Sequence, residues 1–134
     1  MRLAARTHFW IWLGYWAFLF AVTHAPLRGV GPAPIPHVDK VAHVGLYFIL
    51  AWLGGTLRAK ATGADRLRRV AAWTVIYAIY GAVDEWSQPL VGRSMELGDW
   101  IADVGGVLLG GAVVVWRGAS EKTHSSSSPD GGPL

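Results

Sequence analysis

An all-α integral membrane fold, a bundle of four spanning helices followed by a disordered polar tail, is what this sequence predicts, and three observations predict it. Apolar residues make up 52% of the 134 positions and collect in four long runs. Eight Trp and four Tyr supply the amphipathic rings that gather at the headgroup levels of a bilayer. Charged residues are sparse, at 16%, and cluster at the ends of the runs and between them.

Composition also excludes several classes of function. With no Cys there is no disulfide framework, no thiolate metal site and no Cys nucleophile. The formal charge of +3 is small, and no interleaved aromatic and basic motif lies outside the apolar runs, so a lipid bilayer is the expected partner and nucleic acid is not.

The first run, FWIWLGYWAFLFAV at 9–22, follows Arg2 and Arg6. A basic start and an apolar run also describe a signal peptide. Trp10, Trp12, Trp16 and four further rings make this run bulkier than a signal's apolar region, and Thr23 and Ala25 would make a poor cleavage site, so a spanning helix over about 9–24 is expected. The segment HAPLRGVGPAPIPH, with four prolines, reads as a loop because proline removes a helical donor. A second helix is expected over 38–57, VDKVAHVGLYFILAWLGGTL, with Asp39, Lys40 and His43 in its first turns. Spacings of four put Asp39, His43 and Tyr47 on one face.

A basic connector with Arg58, Lys60, Arg66, Arg68 and Arg69 leads to a third helix over about 68–88, which Asp84, Glu85 and Gln88 prolong until Pro89 stops it. The fourth, over about 99–116, carries Gly105, Gly106, Gly110 and Gly111; the pair at 106 and 110 is a small-xxx-small spacing that suits packing within the chain better than a homodimer. These four helices make one domain, 1–117. From Gly118 to the end the chain is rich in Ser, Gly and Pro, and is expected to be disordered over 118–134.

Four spans place both termini and the connector on one side, with Arg2, Arg6, Arg58, Lys60, Arg66, Arg68, Arg69, Arg117 and Lys122. The positive-inside rule makes that side cytoplasmic. The outer side keeps Arg28, Lys40 and Arg93 against Asp39, Asp84, Glu85, Glu96, Asp99 and Asp103. The starts of helices two and four and the end of helix three are thus expected at one rim. Six carboxylates against three fixed cations cannot all be ion-paired, so some share protons, hold an external cation, or are hydrated.

Each constellation has a structural reading beside a functional one. Asp39 suits a helix start and Lys40 can snorkel to headgroups, but neither role requires His43, which could be a general base oriented by a carboxylate or a metal ligand. Asp84 and Glu85 oppose the dipole at a helix C-terminus and ask for a partner; Lys40 and Arg93 are available. Arg93 offers a planar fork for a carboxylate or a phosphate. Asp99 is explained as a helix cap, whereas Asp103 lies deeper. Ser87 and Ser94 lie in no nucleophile elbow, and His8, His24, His37 and His124 show no partner. Nothing identifies a cofactor, a metal or an oligomeric state.

Together, PHVDKVAHVGLYFIL and DEWSQPLVGRSMELGDWIADVGGVLLG resemble the two signature stretches of the VanZ-like family. The resemblance covers about 9–116. It lies in the ordered combination of D-K-x-x-H-x-x-x-Y, D-E-x-x-Q, G-R and D-x-x-x-[ND]-x-x-G-x-x-x-G. It implies a small multi-pass bacterial membrane protein, of a family whose named member is associated with reduced susceptibility to the glycopeptide teicoplanin. Asp39, Lys40, His43 and Tyr47 match the first motif; Asp84, Glu85, Gln88, Arg93 and Asp99 match the second. Asp103 stands where the family commonly has Asn, which weakens any mechanism that needs an amide there.

From the resemblance and the outward acids, the expected function is to bind or act on a cell-wall or lipid-linked molecule at the outer leaflet. His43 and Asp39 with Asp84 or Glu85 are the candidate catalytic groups, and Lys40, Tyr47, Gln88, Arg93, Asp99 and Asp103 the binding groups. A structural or accessory membrane subunit and a small cation carrier are the alternatives.

Overall fold

The structure is a computed structural model that describes residues 2–25, 37–57 and 63–126, with side chains described over 4–25, 37–57 and 63–120. The fold is all-α. Helix α1 spans Arg2–Thr23, α2 Val38–Thr56, α3 Ala64–Ser87 and α4 Leu97–Ser126, with a short 3-10 turn at Gln88–Val91. Expectations for 26–36, for 58–62 and for the last part of the tail, 127–134, lie outside the described residues.

Four helices form as the apolar runs require, but their ends differ from expectation. Helix α1 begins ahead of its apolar run because Leu3, Ala4 and Ala5 are strong helix formers. Helix α3 starts at Ala64, so Arg66, Arg68 and Arg69 belong to its first turns and not to the connector. Once nucleated, a helix propagates cheaply through residues that lack Gly and Pro, and none intervenes between Ala64 and Tyr80. Pro89 does end α3; it occupies the first positions of the 3-10 turn, which Gly92 closes in the left-handed region at φ 80°.

Helix α4 departs at both ends. The Glu96 carbonyl accepts the Asp99 and Trp100 amides at 3.0 and 3.4 Å, so Glu96 precedes the helix and Asp99 lies within its first turn instead of capping it. At the other end α4 continues to Ser126, which makes 118–126 helical where disorder was expected. Ala119, Glu121 and Lys122 are good helix formers, and the first proline past Arg117 is Pro129.

Helices α2 and α4 approach closest. A Cβ on Gly106 would collide with the Val44 carbonyl oxygen, and one on Gly110 would stand 2.5 Å from that of Phe48. The glycine pair therefore lets two backbones touch within this chain. Gly105 faces open space and takes no part.

Helix α1 joins through its rings. Trp12 stacks edge-on against Trp16 and Trp73 at centroid distances of 5.1 and 5.6 Å. Its indole N–H donates to the Tyr77 hydroxyl at 2.9 Å, and the Tyr15 hydroxyl donates to the Leu46 carbonyl at the same distance. His8 has partners after all: its Nε2 lies 3.1 Å from the Leu53 carbonyl and 3.2 Å from the Thr56 hydroxyl.

The outside of the bundle is apolar as well. Trp10, Val41, Ile79, Ile101 and Leu108 are each more than half exposed. Among the described residues one stretch, Leu97–Ser120 of α4, is long and apolar enough to cross a membrane by length and composition.

Candidate functional site

Alternating helix directions bring the ends of α1 and α3 to the starts of α2 and α4, and the polar residues singled out in the sequence gather there. Four contacts tie the helices at this end. Thr23 donates to Asp84 Oδ1 at 3.0 Å, Lys40 to Asp99 Oδ1 at 2.9 Å, and the Glu96 amide to Glu85 Oε2 at 3.2 Å; His43 Nδ1 lies 2.8 Å from Asp103 Oδ1.

The outermost group centres on Lys40. Its ammonium donates to Asp99, Glu96 and Asp39 at 2.9, 3.0 and 3.2 Å. A Cβ on Gly98 would stand 2.9 Å from Lys40 Cε, so a side chain there would push the flexible end of the lysine aside.

One turn deeper, His43 Nδ1 faces Asp103 Oδ1 and stands 3.9 Å from Glu85 Oε1, while its Nε2 is 4.0 Å from Asp99 Oδ2. Asp103 is fully buried, and Gly81 makes room for it: a Cβ there would stand 3.1 Å from Asp103 Oδ2. Glu85 is held by an amide relay. Arg93 Nε donates to Gln88 Oε1 at 3.2 Å, and Gln88 Nε2 donates to Glu85 Oε1 at 2.8 Å.

Asp84 anchors the side nearest α1. Besides Thr23 it meets the Tyr80 hydroxyl at 3.4 Å and His24 Nδ1 at 3.5 Å, and His24 Nε2 lies 2.9 Å from the Ser87 hydroxyl. Tyr47 Oη, Asp84 Oδ2 and Asp103 Oδ2 are buried without a hydrogen-bond partner among the described residues. A buried polar atom left unpaired costs about 1–3 kcal/mol.

The cluster thus holds every expected site residue, but several pairings differ from the sequence reading. Asp39 does not orient His43; it is exposed and bonded to Lys40, and Asp103 takes the place beside the imidazole. The α2–α4 backbone contact at Gly106 sets that choice, because it brings the first turns of the two helices face to face. Lys40 serves Asp99, Glu96 and Asp39 rather than Glu85, and Arg93 reaches Glu85 only through Gln88.

Thr23, His24 and Tyr80 were missed. His24 carried a usable signal, since it ends the first apolar run at the rim where the acids were expected. Glu96, counted among the outer acids, is a member of the Lys40 group.

Chemically, His43 beside Asp103 is an imidazole held by a carboxylate, as a general base or a metal ligand would be. His43, Glu85 and Asp103 offer ligand atoms within 4.8 Å of one another, and so do Asp39, Glu96 and Asp99. A cavity of about 750 Å³ lies at the far end of the bundle, lined by Arg66, Arg69, Arg117, Trp12 and Trp73, and takes no part in this cluster. Comparison of the chain with protein-family models, curated proteins and solved structures returned no match, so its residues and their geometry are what bear on its function.

Proposed function

We propose that the chain is a four-span membrane protein of the VanZ-like type, with both ends cytoplasmic, that binds or acts on a cell-envelope or lipid-linked molecule at the outer leaflet and contributes to teicoplanin tolerance. One observation supports this reading most. His43, Asp84 and Asp103 are buried on the inner faces of helices whose outer faces expose Val41, Val83 and Ile101 at 71%, 53% and 59%. Buried carboxylates and an imidazole inside an apolar shell invert the usual soluble arrangement, and a bilayer would cover the shell. Arg93, at the rim, is the cation suited to a phosphate or carboxylate of the ligand, because the three donors of Lys40 are taken by Asp99, Glu96 and Asp39.

The test substitutes His43→Ala, Glu85→Gln and Arg93→Gln separately and measures teicoplanin susceptibility with protein levels held equal. Loss of tolerance in these variants is expected. Unchanged tolerance in all three would remove the site.

A second reading, a non-enzymatic accessory subunit, draws on the Lys40 group and the Arg93–Gln88–Glu85 relay, which join α2, α3 and α4 as a structural network would. On that reading the same substitutions lower the folded yield before they change tolerance per folded molecule.

A further inference from the structure

We propose that His43, Glu85 and Asp103 form a binding site for one divalent first-row metal ion of the Zn²⁺ or Mn²⁺ class, held between α2, α3 and α4.

Three independent observations converge on it. The first is geometric: one ligand atom from each residue lies within 4.8 Å of the other two, the spacing from which a metal at about 2.0–2.2 Å can draw them together. The second is the unpaired Asp103 Oδ2, in a side chain with no exposed surface.

The third is charge. The neighbouring acids Asp39, Glu96 and Asp99 already share a cation, the Lys40 ammonium at 2.9–3.2 Å. Among the described residues the bases that face Glu85, Asp103 and Asp84 within 4.0 Å are the imidazoles of His43 and His24. Two imidazoles, of which His43 must be neutral in order to ligate, cannot balance three ionised buried carboxylates, and uncompensated buried charge is costly. A divalent ion would supply the difference.

The donor set selects the class. One imidazole with carboxylates and no thiolate suits Zn²⁺ or Mn²⁺ and disfavours soft ions, and the imidazole nitrogen disfavours Mg²⁺ and Ca²⁺. Glu85 is already held in place by Gln88 and by the Glu96 amide, as the outer hydrogen bonds of metal ligands do. Each of its oxygens keeps a second lone pair for a metal.

This inference deepens the proposed site, yet binding can be measured without any envelope molecule. The full chain in detergent micelles, stripped with chelator and dialysed, is titrated with Co²⁺ as a visible-absorbing stand-in for Zn²⁺. About one Co²⁺ per chain is expected, displaced by Zn²⁺ and competed more weakly by Mn²⁺, as the usual affinity order requires. His43→Ala, Glu85→Gln and Asp103→Asn should each weaken binding at least about tenfold, while Asp65→Asn, exposed at the start of α3, leaves it unchanged. Because Asp103→Asn could fail to fold, the wild-type melting temperature is also followed, and it should rise with saturating Zn²⁺.

No stoichiometric binding of Co²⁺, Zn²⁺ or Mn²⁺ by the folded wild type overturns the inference, as does binding that survives both His43→Ala and Glu85→Gln. Absent metal binding with tolerance still sensitive to His43 would sink the metal site and keep the proposed function. Metal binding with unaffected tolerance would do the reverse.

Discussion

Gln88 is a neutral amide set between two opposite charges, accepting from Arg93 and donating to Glu85 at 3.2 and 2.8 Å. With 1% of its surface exposed, it has no water to replace either bond. Gln88→Leu should therefore lower stability by roughly 1–3 kcal/mol, the cost of leaving buried polar partners unmet. Unfolding of the detergent-solubilised protein measures the loss, and adding Arg93→Gln to Gln88→Leu should cost little more. Full additivity would show that the relay carries no energy. At this scale the sequence revealed which residues matter better than it revealed who meets whom. Carboxylates and a histidine at the ends of apolar runs are conspicuous, so Asp84, Glu85 and Asp103 stood out. Whether His43 takes Asp39 or Asp103 depends on how α2 is rotated against α4, and spacing within one helix carries no such information.

That rotation belongs to the helices, and it rests on Gly106 and Gly110. Gly106→Val would drive side-chain atoms into the Val44 carbonyl and should destabilise the bundle by at least about 1–3 kcal/mol, with His43 displaced from Asp103. Gly105→Ala, facing open space, should be neutral or slightly stabilising. Thermal unfolding of both variants checks the pair, and equal effects would refute the close-contact account. The glycine spacing itself was legible, because only small residues repeated at four permit such an approach. The helix ends were less so. Polarity after Arg117 suggested disorder, yet a helix already running through α4 has no reason to stop before it meets proline or glycine in a breaking position. The arginines ahead of Val70 likewise read as a linker although they continue α3.

For the molecule as a whole, the arrangement of four helices followed from the four apolar runs, and the meeting of their polar ends followed from the alternation of direction. The absence of cysteine makes the sidedness directly testable. Ser94→Cys, exposed in the loop before α4, should react with an impermeant maleimide on intact cells, and Ala64→Cys, exposed at the start of α3, only after permeabilisation. Labelling of both from the same side would refute the proposed four-span topology. The pairing of His43 with Asp103 also has a bearing on synthesis. The ribosome makes the imidazole sixty positions before its acid, so over that stretch of translation the pocket exists as one half without the other. Premature release would leave a chain with three helices, a histidine without its mate and a lysine missing two of its three anions. Such a truncated product should be marked for degradation by its own unmet charges.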